Sequence, residues 1–246
     1  MFVKQIVIYF LLVFCSCLPG ALVAQTQDSY DYDSEFTMGL NKNSYGGLIG
    51  GFVFKKARRI DKKLFETFGL ELMNVKNPHE VRTQAPSSGN YFIYGKAKYL
   101  YAVRFQYGRD LVLFTKGPQQ GVEVKAVFAV GPSLGIVAPY YVQVDPTGGG
   151  SGYYTVSMPY TPDISYGSIQ GTGSLFEGLF ESTVQIGGNV KAAMNFELGT
   201  AKNQVTGVEV GFLLDAYVNT IVMMPAAENR TVFPTVFLTW FWGSRK

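Results

Sequence analysis

Hydrophobicity that alternates residue by residue, sustained over separate runs along most of the chain, constrains this sequence more than any other feature. Between residues 184 and 198 one face carries Val184, Ile186, Val190, Ala192, Met194, Phe196 and Leu198, while the other carries Gln185, Asn189, Lys191, Asn195 and Glu197. A period of two puts successive side chains on opposite faces of an extended strand, whereas a helix needs apolar residues three and four apart. The same dyad sets Tyr99, Tyr101, Val103, Phe105 and Tyr107 against Ala102, Arg104 and Gln106. It recurs from Val122 to Val130, from Val208 to Val218 and from Phe36 to Leu40. The pattern is weaker over 48–57 and 63–74, where Glu66 falls on the otherwise apolar side. The last run, 231–242, aligns Val232, Val236, Leu238, Trp240 and Trp242.

These runs predict eight strands, at 34–42, 46–57, 63–75, 97–113, 121–141, 184–199, 204–222 and 231–243. Links at 43–45, 76–96, 142–183 and 223–230 alternate with turns near 58–62, 114–120 and 200–203. Two of the four odd-numbered links are long and all the even ones are short, the asymmetry of an exported barrel with both termini in the periplasm. A soluble β-sandwich also alternates, but its outer face looks at water and is dense in Lys and Glu. Here only 16% of residues are charged and 15% are aromatic, with 28 glycines in 246 residues. Lipid outside and a packed, partly ionic interior account for both facts. The expected class is all-β, an eight-stranded antiparallel transmembrane β-barrel of the outer-membrane type.

Residues 1–24 have the order of a secretory signal peptide: Lys4, an apolar run from Ile6 to Phe14, then Pro19, Gly20 and the small Ala24. The expected division is a signal peptide at 1–24, a short periplasmic segment at 25–33 and the barrel at 34–246. Both cysteines, Cys15 and Cys17, lie in the leader, so thiolate chemistry, disulfides and cysteine-bound zinc are excluded from the remainder. A lone histidine makes a metal site untenable, and no cofactor is expected. With 47% hydrophobic residues the chain is not disordered, and 21 basic against 18 acidic residues give no electrostatic case for nucleic acid.

Strand parity turns Glu35, Glu71, Arg104, Glu123, Lys125, Lys191, Glu197, Glu209 and Asp215 inward. Such a set is either a salt-bridged plug that fixes register or a path for protons or cations, and the plug is favoured because eight strands enclose no water channel. Lys55, Lys56, Arg58, Arg59, Lys62 and Lys63 form the densest charge cluster, which parity places at the first periplasmic turn, facing phospholipid phosphates or an acidic partner. His79, with Glu80, Ser87 and Ser88 nearby, is the one candidate for the histidine, serine and carboxylate chemistry of lipid-directed barrel enzymes, but its spacing matches no triad. Gly148-Gly149-Gly150-Ser151-Gly152 lacks the strand, helix and lysine of a phosphate cradle and reads as flexible loop. Ser174 to Glu181 is an amphipathic rim segment or an extension of the sixth strand, and Phe237 to Trp242 is an aromatic final strand followed by a protruding tail, 243–246.

The stretches 93–144 and 164–199 resemble a family of small outer-membrane barrels from the Bacteroidota. The resemblance is carried by Tyr94-Gly95-Lys96, Gly121-Val122-Glu123, Gly131-Pro132-Ser133-Leu134-Gly135 and Phe196-Glu197. It implies the location and the fold but no chemistry. Other small barrels of that phylum act as accessory subunits of secretion or barrel-assembly machines, which implies a non-enzymatic accessory or scaffolding role by analogy. Its partners would be outer-membrane lipid and a protein of the outer membrane or periplasm. The alternatives are a narrow pore for ions or small solutes and a lipid-directed enzyme.

Overall fold

The computed structural model describes residues 32–47, 49–116, 121–147, 154–174, 177–198 and 204–246. The expected signal peptide and nearly all of the 25–33 segment lie outside these residues, as does the run Gly148 to Gly152. Among the described residues thirteen strands follow in chain order: β1 (Ser34–Asn43), β2 (Gly51–Asp61), β3 (Leu64–Val75), β4 (Arg82–Gln84), β5 (Tyr91–Ile93), β6 (Lys98–Phe114), β7 (Glu123–Pro139), β8 (Tyr141–Val144), β9 (Val156–Pro159), β10 (Ile169–Thr172), β11 (Thr183–Glu197), β12 (Gln204–Ile221) and β13 (Arg230–Arg245).

Eight of them close a barrel in the order β1-β13-β12-β11-β7-β6-β3-β2, all neighbours antiparallel. These are the eight predicted strands. The seam joins the first to the last, with Glu35 opposite Arg245 and Asn43 opposite Phe237. Residues 243–245, expected as a free tail, are the end of β13, and the Lys246 carbonyl accepts from the Asp33 and Ser34 amides at 2.8 and 3.0 Å. Closure removes every sheet edge in the wall, which only such a barrel can do without a partner.

The period-two pattern appears as strict alternation of burial. In β12 the even positions Val210, Phe212, Leu214 and Val218 are exposed, and the odd positions Glu209, Leu213, Asp215 and Tyr217 are buried. Phe36, Phe52, Phe68, Phe105, Phe128, Ile186, Val190, Phe212 and Trp240 are among the large apolar side chains on the outer surface. A band of that extent is not a water-facing surface; it is the lipid-facing wall of a transmembrane barrel. Inward glycines let the wall bend: a Cβ on Gly131 would sit 2.0 Å from the Phe105 carbonyl oxygen of β6.

Two differences in strand extent matter. β2 begins at Gly51 rather than near 46 and continues to Asp61, so its turn to β3 is only residues 62–63. The long links are not structureless. The second holds the hairpin β4-β5, and the third holds a three-stranded sheet of order β10-β8-β9, with β8 following β7 after Tyr140. The link expected at 142–183 thus carries strands of its own, while the glycine run read as flexible loop lies outside the described residues. Single-sequence alternation misses strands of three or four residues because they are too short to show a period. Within 174–181 the described residues form a turn and a single 3-10 turn, Leu179–Glu181, entered through Gly178 at φ +80°, so neither an amphipathic helix nor a sixth-strand extension is present there.

Candidate functional site

The lumen is sealed in three layers. At the loop end Val53, Met73, Val75, Leu100, Ala102, Val137, Tyr217, Ile221, Met223 and Phe233 form an apolar plug, onto which Tyr45 packs. The middle is ionic. At the short-turn end Tyr32 enters the mouth, its ring stacked on Phe65 at 4.9 Å with the Arg245 guanidinium 4.1 Å from its centroid. The Tyr32 hydroxyl donates to Glu123 at 3.1 Å.

All nine residues assigned inward by parity are buried in this interior. Arg104 holds Asp215 through two nitrogens, at 2.9 Å from Nε and 2.5 Å from Nη2, and donates to Glu71 from Nη1 at 3.1 Å. Ser133 donates to the other Asp215 oxygen at 3.0 Å. Glu71 continues the chain to Lys191 at 2.9 Å, and Lys191 to Glu209 at 2.7 Å. Nearer the short turns Lys125 lies 3.2 Å from Glu35, 3.1 Å from Glu123 and 3.9 Å from Glu197, while Arg245 and Lys116 both bond Glu197. A buried charge is tolerated when paired and hydrogen-bonded, and each carboxylate here meets at least one cation or donor.

The nine residues are six acids and three bases, which requires some acids to share cations, face water or bind protons, and sharing is observed at Lys125 and Lys191. The structure adds a seventh acid, Asp110, and the cations Lys55, Lys116, Arg245 and, at the mouth, Arg59. Setting aside Arg59 and its exposed partner Asp33 at the mouth, seven acids then face six bases among the described residues, so the interior is close to electroneutral. Lys55 is the instructive case. Predicted at the periplasmic turn, it lies in the lumen, 2.6 Å from Asp110 and 3.5 Å from Glu209. Because β2 runs to Asp61, the basic cluster lies on a strand, and parity divides it. Lys55 and Arg59 turn inward, Lys56 and Arg58 face outward, and only Lys62 and Lys63 form the turn. The cluster is not a single surface. A cation inside an apolar-flanked strand could have been recognised by extending the dyad from Val53 through Lys55 to Ala57.

At the other end the loops fold into a platform with its own core: Ala85, Phe92, Tyr140, Val142, Val144, Tyr160 and Ile169, with Ile93, Ala97, Tyr99 and Ile164 packed against it. The hairpin is tied to the sheet by Ser88, whose hydroxyl bonds the Gln170 carbonyl, and by the Tyr166 hydroxyl to the Gln84 carbonyl at 3.1 Å. The Ile93 amide donates to the Tyr140 hydroxyl at 3.0 Å. Beneath it the Ala97 and Lys98 amides both donate to Met223, at 2.8 and 3.1 Å, joining the second and fourth loops. A buried ion pair locks this junction: Lys96 Nζ is 2.8 Å from Glu80 and 4.2 Å from the Tyr99 ring centroid. Burial holds the Lys96 ammonium below the ordinary lysine value, with Glu80 pulling the other way. On top, Tyr91, Tyr94, Tyr154 and Tyr166 remain exposed, and Tyr94 meets Tyr166 edge-on at 5.4 Å.

His79 lies beside a cleft lined by Tyr45, Asn77, Pro78, Met223, Glu228, Arg230 and Phe233. Its Nδ1 is 3.1 Å from the Asn77 side-chain oxygen. Glu80 is committed to Lys96 and to the Asn77 amide, at 2.8 and 3.0 Å, and Ser88 to Gln170. The residues that would make a histidine, serine and carboxylate unit are thus not brought together, and no serine lines the cleft.

No family model and no curated protein matches this sequence. Among solved structures the chain is similar to the attachment invasion locus protein Ail of Yersinia pestis, with 8% identity and a TM-score of 0.40 over 88% of this chain and 99% of that one. It is also similar to Neisserial surface protein A, with 12% identity and a TM-score of 0.38 over 87% of this chain and 97% of that one.

Proposed function

We propose that this chain is a non-enzymatic outer-membrane barrel of the Bacteroidota type, acting as an accessory or scaffolding subunit of an envelope secretion or outer-membrane protein assembly complex. One observation carries the reading: the outer links fold into a cored, ion-pair-locked platform that leaves tyrosines exposed, above a lumen filled by side chains. A surface ordered in advance loses little entropy on association, and exposed tyrosines offer large contact area with few rotors. Extraction from native membranes in mild detergent is expected to recover the barrel with a stoichiometric envelope protein. Replacing Tyr91 and Tyr154 by Ser is expected to release that protein while the barrel still folds. Recovery of the barrel alone, where other envelope complexes survive, overturns the proposal.

The pore reading makes the opposite demand of the lumen. The apolar plug, the balanced ion pairs and Tyr32 all oppose an aqueous path, so purified barrel in planar bilayers is expected to give no unit conductance. Discrete steps that vanish with the protein would favour a pore instead.

A further inference from the structure

In the half of the outer wall nearer the short turns, charges are confined to one sector. Among the described residues, β7, β11, β12 and β13 turn a single charged side chain outward, Arg230 at the loop end. On β2, β3 and β6, by contrast, Lys56, Arg58, Glu66 and Arg109 all face out in the half nearer the short turns. They form one cluster, because Arg58 pairs across to Glu66 and Glu66 to Arg109 in the next strand. Arg109 Nη1 is 3.0 Å from Glu66, and the Tyr107 hydroxyl donates to the same oxygen at 2.8 Å. The Arg109 guanidinium also lies 5.2 Å from the Tyr107 ring centroid.

The flanks show that this is not a rim dipped in water. Outward Ile60 and Leu111 are exposed on the turn side of the cluster, and outward Phe68 and Phe105 on the loop side. Three cations and one carboxylate therefore stand between apolar rows on a wall that faces lipid. Glu66 is bonded by Arg109 and Tyr107 and also faces Arg58 across the strands, so one carboxylate serves two cations, while Lys56 forms no ion pair among the described residues. Lipid-facing cations are destabilising unless an anion or the headgroup layer meets them.

We infer that Lys56, Arg58 and Arg109 form a binding site for the phosphate of an anionic phospholipid in the leaflet nearest the short turns, with Glu66 and Tyr107 positioning Arg109. Guanidinium groups recognise phosphate through paired donors, and a lysine adds a point charge. The acyl chains would lie along Phe68 and Phe105. A second copy of the chain fits poorly, since a two-fold interface would bring the same positive patch against itself. The inference requires only that the barrel spans a bilayer, and it stands apart from the accessory role.

The test is native mass spectrometry of the full chain released from micelles containing either phosphatidylglycerol or diacylglycerol with the same acyl chains. Wild type is expected to retain one phosphatidylglycerol and no diacylglycerol. The double variant Arg58→Gln/Arg109→Gln is expected to retain at least tenfold less, whereas Lys42→Gln, an outward cation at the loop end of β1, retains as much as wild type. Heat-modifiable gel migration confirms that each variant is folded. Equal retention by the double variant and wild type overturns the site. So does displacement of the lipid by millimolar inorganic phosphate, which would mark a free-anion site, or a wild-type dimer that the double variant abolishes.

Discussion

Arg104→Met is expected to destabilise the barrel by about 3–5 kcal/mol, the cost of leaving a buried carboxylate without its cation. Arg104 supplies both guanidinium bonds to Asp215, whose remaining side-chain donor is Ser133, while Glu71 keeps Lys191. The damage should therefore fall on Asp215, and the second substitution Asp215→Leu should recover most of the loss. Urea unfolding in lipid, followed by the shift of folded barrel on an unboiled gel, measures both. If the double variant were as unstable as the single one, steric loss rather than an orphaned charge would explain the effect. The non-additivity itself is the informative number, since it isolates the pair from its surroundings.

Lys96→Met is expected to unlock the outer platform while leaving the wall intact. It strands Glu80, which is buried at the junction of the second and fourth loops and otherwise accepts only the Asn77 amide. A penalty of about 3–5 kcal/mol confined to one cooperative unit raises its open population more than a hundredfold. Proteinase K added to folded barrel should then cut within 76–97 far faster than in wild type, with the membrane-embedded fragments remaining resistant. The damage comes from the carboxylate left buried without its cation, and it disappears when that charge is removed too. Removing both charges, Lys96→Met with Glu80→Gln, should restore most of the protection. Equal cleavage of wild type and single variant would show that the platform does not depend on this contact.

The wall was legible because a closed barrel enforces strict alternation: Val184 to Leu198 could only be read one way, and its inner and outer faces fall as the pattern demands. The lumen was legible by the same parity, since Arg104, Lys191 and Asp215 each sit among apolar alternates on a strand of clear phase. Where the phase was weak, reading failed. Over 48–57 the dyad is blurred by glycine and by adjacent lysines, so Lys55, although inside the predicted strand, is grouped with the charges of the turn rather than placed on the inner face beside Asp110 and Glu209. Arg245 was missed for a related reason, because a Gly-Ser pair before a terminal Arg-Lys looks like a tail until its pairing with Glu35 across the seam is known. The platform was invisible because its strands are short and its core is assembled from two separate links, a long-range fact that no local window contains. Lys96 and Glu80, sixteen residues apart in the second link, meet where that link folds back through the β4-β5 hairpin.

The seam between β1 and β13 also dictates what can be learned from fusions. Asp33 and Lys246 are hydrogen-bonded neighbours on the same rim. An affinity handle or fluorophore placed directly before Asp33 or after Lys246 would thus sample one rim only, and reporters for the opposite face have to be built into an internal link such as the one between β12 and β13.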